Sequence, residues 1–290
     1  MSAAFPLLDK FVAFIVERHS IYMRRQGGHP KPWTEDPILQ SFRFCNVYRE
    51  LDTVTLWISN EWRFRYRKDE DLWFAMVVAR LVNWPDTLAE LMPAVFTLDT
   101  KKVQWDEGKF IRAMHRRRKQ GEKVFTGAYI VSTNGVATDK ADYIGKKVLT
   151  KMWRKREELR PREGDTLEAF HTRLTSFMGM GSFIAGQVVA DIKYAEPLAR
   201  ASDWHTWAAK GPGSSRGLNR VCGNERDERW KPAHWLQVLQ ELQEVVNPML
   251  PLQWEKLHAQ DLQNCLCEFD KYMRVTLGEG RPRSRYPGRP

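Results

Sequence analysis

The stretch Lys210-Gly-Pro-Gly-Ser-Ser-Arg-Gly-Leu-Asn-Arg220 gathers the groups that recognise a polyanion. Gly211 and Gly213 let the backbone turn its N–H groups to one side, and Lys210, Arg216 and Arg220 add cations. A guanidinium can also fork onto phosphate. Asn219 closes the run with an amide. The spacing is not that of a Walker A loop, because Gly-x4-Gly-Lys-Ser/Thr is absent. An ordinary surface turn with solvated cations is the other reading. A second glycine pair, Gly179 and Gly181, lies in Phe177-Met-Gly-Met-Gly-Ser-Phe-Ile-Ala185 between two helical patterns. Such a turn frees the first N–H groups of the following helix, here opened by Ser182, to hold a DNA phosphate without reading sequence. A plain helix–turn–helix would use the same glycines. Asp203 follows Gly179 by 24 residues.

The charge balance points to an acidic partner. Forty-six Lys and Arg stand against 36 Asp and Glu, a net charge of +10 over 290 residues, which suits nucleic acid or a phosphorylated substrate. Arg116, Arg117 and Arg118 form one basic patch, 146–162 a second, and the tail RPRSRYPGRP a third. Trp62-Arg-Phe-Arg-Tyr-Arg67 interleaves rings with cations in the manner of single-strand binders. Each patch alone also reads as a solvated face. Four cysteines, at 45, 222, 265 and 267, lack zinc or cluster spacing and are expected to be free thiols. The start has no signal-peptide pattern, and the longest uncharged stretch carries three glycines, so a soluble intracellular protein is expected.

Helices must position these groups. Periodicity predicts helices at 11–23, from about Ile38 through Ile58, at about 71–82, again from Lys140, along Trp235, Leu239, Leu242 and Val246, and at 261–274. Asn83-Trp84-Pro85-Asp86 ends one helix and caps the next. Val124–Val131, with the turn Thr133-Asn134-Gly135, predicts a small β-element. On the last helix Asp261, Asn264, Glu268 and Lys271 form a polar stripe, with Asp270 beside it, and spacing alone favours a solvent-exposed face. The expected fold is mostly α, as a single domain of two helical lobes over 1–280, with a basic disordered tail at 281–290.

Several blocks carry a resemblance. These are Pro-Trp-Thr-Glu-Asp-Pro-Ile-Leu (32–39), Arg-Phe-Cys-Asn-Val-Tyr-Arg-Glu-Leu-Asp (43–52), Ala-Tyr (128–129), Gly-Pro-Gly-x-x-Arg-Gly-Leu-Asn (211–219) and Gln-Asn-x-Leu-Cys-Glu-Phe-Asp-Lys-Tyr (263–272). Over about residues 10–275 the chain resembles the phage α-glutamyl/putrescinyl thymine pyrophosphorylases, or amino acid:DNA transferases, a family related to helix–hairpin–helix DNA glycosylases. The resemblance implies a glycosylase-like fold and an enzyme that displaces pyrophosphate from 5-(pyrophosphoryloxymethyl)uracil in double-stranded phage DNA. The incoming group is a free amino acid or polyamine, the product a hypermodified thymine, and the setting the host cytoplasm. Asn46 and Glu50 stand about where the glycosylases tend to carry Glu and Gln.

That chemistry needs a neutral amine, a stabilised leaving group and a flipped base. Arg216, Lys210, Arg220 and the Gly211–Gly213 backbone are expected on pyrophosphate. Asp203, with Glu50, Asp270 and Lys271, is expected at the reacting centre. Arg43, Asn46, Arg49 and Asn219 are expected around base, amine and leaving group. Gly179, Gly181, Ser182 and the three arginines at 116–118 are expected on DNA. No cofactor or protein-held metal is identified, and a divalent ion travelling with pyrophosphate is left open. A glycosylase would use Asp203 against a sugar, and a non-catalytic DNA-binding module would explain the charge without the polar helix faces.

Overall fold

The computed structural model describes residues 4–97, 99–127, 135 and 138–282. The chain divides into two compact units. Met1–Asp52 and His205–Pro290 form the first, and Thr53–Trp204 is inserted between them as the second. The first unit begins with α1 (Leu8–Gln26) and α2 (Pro37–Ser41). The second holds α3 (Thr53–Ile58), α4 (Leu72–Val82), α5 (Pro85–Val95), α6 (Glu107–Lys119), α7 (Lys140–Asp142), α8 (Thr150–Arg154), α9 (Arg156–Leu159), α10 (Leu167–Thr175) and α11 (Ser182–Ile192). The first unit resumes with α12 (Pro212–Cys222), α13 (Pro232–Val246) and α14 (Ala259–Thr276). The fold is mostly α, as expected. Among the described residues the only β pairing is a single bridge between Phe96 and Val103. Residues 124–127 form no strand, and 128–134 of the expected β-element lie outside the described residues. No described helix is long and apolar enough to cross a membrane.

In the first unit α14 is the axis. Its apolar side buries Leu262, Cys265, Leu266, Phe269 and Met273. Phe269 meets Phe11 and Phe14 of α1 at ring-centroid distances of 5.1 and 5.6 Å. Trp235, Leu239, Leu242 and Val246, the stripe expected on α13, are all buried in the same core. α12 packs against α14 at backbone distance. A Cβ on Gly217 would stand 2.0 Å from the Leu266 carbonyl oxygen, and one on Gly213, a turn earlier, 3.1 Å from Cys267 Sγ. Hydrogen alone fits at Gly217.

The helix expected from Ile38 to Ile58 is broken. α2 ends at Ser41, the chain turns extended at Phe42, and a single 3-10 turn at Arg49–Leu51 precedes α3. The apolar spacing is genuine, but polar side chains take the backbone groups a helix would have paired. Asp52 accepts the Asn46 N–H at 2.8 Å, Glu268 the Cys45 N–H at 2.9 Å and Asp261 the Arg49 N–H at 2.9 Å. Arg18, at the end of the α1 stripe, donates to the Phe44 carbonyl at 2.6 Å.

The second unit is built on α4, every residue of which is buried. Arg80 of that helix is 1 % exposed and grips Asp191 of α11 with two hydrogen bonds, of 2.5 and 2.6 Å. Thr55 and Asn83 accept the guanidinium's other bonds. Asn83 then ends α4 in the left-handed region at φ 48°, and Pro85 starts α5.

Gly217→Ala is expected to destabilise the first unit by at least the roughly 1–3 kcal/mol typical of overpacking, since backbone has to give way. Gly213→Ala should cost less, because a thiol can rotate aside. Chemical denaturation checks the order, and equal midpoints for the two variants would refute the close-contact account.

Candidate functional site

The second side of α14 is polar, and the protein buries that as well. Asp270 is 1 % exposed, with three guanidiniums around it. Arg216 Nε donates to one carboxylate oxygen at 3.1 Å and Arg220 Nε to the other at 3.2 Å, while Arg274 Nε lies 3.3 Å away. The first two come from consecutive turns of α12, so the backbone contact at Gly217 brings them over α14. Arg220 is buried and reaches on to Glu279, which also meets Arg226 at 3.4 Å. Arg216 and Arg274 keep about a third of their side chains in solvent. Among the described residues the two terminal nitrogens of Arg216 make no hydrogen bond. A carboxylate so placed holds the guanidiniums in position, and donors turned to solvent can meet an anion.

Two residues before Asp270, Glu268 accepts from the Lys271 ammonium at 2.6 Å and from the Cys45 backbone N–H. Asn264 donates to the Asn46 carbonyl at 3.0 Å. The stripe expected to be solvent-exposed is instead where the extended segment 42–49 is laced to the helix. Asn46 and Arg49 are buried there, with Glu50 3.6 Å from Arg49 and Arg43 exposed on the same segment. Burial lifts Asp52 from 3.8 to about 6, with the negative Glu268 adding to the effect and the Asn46 N–H opposing it. The negative charge of Glu268 pushes the Cys45 thiol well up, which disfavours its thiolate.

The remaining candidates have definite partners. Asn219 is fully buried and donates to the Arg226 and Glu228 carbonyls, while Lys210 donates to the Trp230 carbonyl at 3.0 Å. Both brace the loop after α12. The Gly211 N–H turns back onto Ser214 Oγ at 3.1 Å, and Gly213 faces Cys267, so the glycines expected to form an anion nest serve the helix start and helix packing. Asp203 belongs to the second unit. Its two oxygens accept the Leu167 and Glu168 N–H groups at 2.7 and 3.0 Å, capping α10. Gly179, at φ +100°, and Gly181 form the turn between α10 and α11, as the sequence suggests. Gly181, Ser182 and Phe183 are exposed, so the α11 N-terminus faces solvent. Arg117 is buried in ion pairs with Glu90 and Glu122, Arg116 pairs with Glu90 at 2.5 Å, and Arg118 pairs with Asp139.

Sequence reasoning missed Arg274 and Glu279 as members of the arginine cluster. The spacing from Asp270 to Arg274, one helical turn, was the available signal. His115, Asp139 and Asp142 form a group, among the described residues, close enough to share a metal ion. Arg118 and Lys146 already match those carboxylates, the latter at 2.6 Å.

The family described as 5-hmdU DNA kinase, helical domain, matches residues 5–281. The chain is also 28 % identical over 235 residues to a 5-hmdU DNA kinase of Bacillus phage SP10. That alignment covers 74 % of this chain and 36 % of the phage protein, so the chain spans about a third of its relative's length. No solved structure matches.

Two outcomes follow from the titrating and capping carboxylates. Asp52 binds its proton more tightly folded than unfolded, so it costs stability as pH rises from about 4 to about 6 and the full cost persists above. Asp52→Asn keeps an acceptor for Asn46, so it should flatten that slope and raise stability at pH 7; an unchanged pH profile would contradict this. Asp203→Asn leaves one of two capping bonds unmade and should cost roughly 0.5–2 kcal/mol. Lost turnover without lost stability would instead place Asp203 in the chemistry.

Proposed function

The chain belongs to the 5-hmdU DNA kinase helical-domain family, and from that premise we propose that it is a DNA base-hypermodifying transferase acting on phage DNA. In this reading an amine displaces pyrophosphate from 5-(pyrophosphoryloxymethyl)uracil. The observation that carries it is the triple-arginine setting of Asp270, beside the resemblance of 211–219 and 263–272 to the amino acid:DNA transferases.

The amine nitrogen attacks the 5-methylene carbon and a carbon–nitrogen bond forms. The carbon–oxygen bond breaks, and its electron pair leaves on pyrophosphate. Negative charge therefore grows on the departing oxygen, where donors fixed in advance stabilise the transition state more than the ground state. Arg216 and Arg274 supply those donors. Asp270 is their positioning residue, too enclosed to exchange protons with substrate. Glu268, held by the Lys271 ammonium on the same helix, positions the amine and takes up on its carboxylate the proton released when the amine becomes an amino substituent. The exposed turn at Gly179–Ser182 contributes backbone N–H groups to a DNA phosphate in the second unit.

The phage relative is named a kinase, and an arginine cluster would also suit a phosphoryl group in transfer. Nucleoside mass spectrometry separates the two. Pyrophosphorylated hydroxymethyluracil DNA incubated with candidate amines should yield an amine adduct. Hydroxymethyluracil DNA incubated with ATP should gain no phosphate, and a phosphorylated nucleoside there would establish the kinase reading.

Arg216→Ala should lower kcat by about 10²–10³, the usual effect of removing a charge-stabilising donor, and raise KM less. Arg216→Lys should recover part of the rate, since an ammonium cannot reproduce a planar two-pronged contact. Binding of unmodified duplex should stay near wild type. Equal loss of binding to modified and unmodified DNA, with the chemical step intact, would make Arg216 a DNA-backbone contact.

A further inference from the structure

The basic aromatic run Trp62–Arg67 is only partly used by the fold. Trp62 is fully buried and Tyr66 is 6 % exposed, stacked on Phe96 at 3.8 Å between ring centroids. Phe64 between them is 63 % exposed. Its ring lies against the guanidinium of Arg67, which with Arg65, Tyr66, Lys68, Lys101 and Lys102 lines a cavity of about 420 Å³. All of these residues lie within the second unit.

The charge in this cavity is unbalanced. Arg65 is tied to Glu61 at 2.7 Å, and Arg67 donates to the Phe64 carbonyl while its guanidinium sits 4.3 Å from the centre of the Phe64 ring. Among the described residues Lys68, Lys101 and Lys102 have no acidic partner. Asp69, the one carboxylate in the lining, accepts backbone N–H groups of Asp71 and Val103. Two basic segments far apart in sequence are brought together by the stack of Tyr66 on Phe96 and by Asp69, which accepts the Val103 N–H, while Phe96 and Val103 pair in a bridge. Lys101 holds φ +51° there, a conformation that non-glycine residues seldom adopt.

We propose that this cavity is a phosphate clamp for a strand of DNA. Lys68, Lys101 and Lys102 take backbone phosphates, and Phe64 stacks one unpaired base at the edge. The pairing of a cationic groove with an exposed ring is what sequence-independent single-strand binding requires. The clamp takes from the proposed function only that the partner is DNA, and it owes nothing to the arginines around Asp270.

The test is titration of the whole chain with a labelled oligothymidine over a range of salt. Replacing the three lysines together (Lys68→Gln, Lys101→Gln, Lys102→Gln) should lower the slope of log affinity against log salt by about 2. Phe64→Ala should weaken single-strand binding by between about 5- and 150-fold, the range for one lost base–aromatic stack. All four side chains are exposed, and circular dichroism should match wild type. An unchanged slope in the triple variant, or unchanged affinity in Phe64→Ala, overturns the clamp. So does binding of free inorganic pyrophosphate that the triple variant loses while its DNA affinity stays the same, since the cavity would then be a small-anion site. Wild-type protein that binds no DNA at all would bring down the functional reading with it.

Discussion

Asp270 cannot be charged and buried unless arginines surround it, and the first unit is arranged to satisfy that requirement. Breaking a buried ion pair from one side typically costs about 3–5 kcal/mol, so α12 has to lie where Arg216 and Arg220 reach the carboxylate. Gly217 makes this possible by letting the two backbones touch. The same helix carries Asp261 and Glu268, whose oxygens receive N–H groups of the extended segment 42–49. α14 is therefore enclosed on both sides, by rings on one and by matched charges on the other. The second unit repeats the device in smaller form, with Arg80 and Asp191 joining α4 to α11 in an otherwise apolar interior.

These arrangements separate structural charge from available charge. Arg80, Arg117 and Arg220 are spent on internal acids, and a count of basic residues overstates what a ligand can meet. Arg216, Arg274 and the lysines around Phe64 keep donors at the surface. The chain's excess of ten positive charges is thus distributed unevenly.

Much of the architecture was legible in sequence. The α13 stripe, the continuous apolar run of α4 and the glycine turn before α11 follow from periodicity and backbone freedom, which are local properties. The break after Ser41 was not legible, because it depends on carboxylates more than two hundred residues away. For the same reason the α14 stripe looked like a solvent face: spacing shows which residues share a side but not what covers it. The 211–219 run was legible as unusual and ambiguous in kind. Its arginines do gather, whereas Gly213 and Gly217 turn out to make room for a neighbouring helix. Asp203 shows the limit of an interval, since the position a catalytic carboxylate would occupy is also a good place to cap α10.

The insertion of one unit within the other sets an order of events during synthesis. Segment 42–49 leaves the ribosome early, yet its partners on α14 follow only after the whole of Thr53–Trp204 has been made. The inserted unit is compact in itself, so it can close while the first unit still waits for its second half. α1, with Phe11, Phe14 and Ile15, must meanwhile remain exposed to chaperones or to other nascent chains. Nascent chains halted just after Trp204 should accordingly resist protease across the inserted unit and be cut within α1, a vulnerability that disappears once α14 emerges.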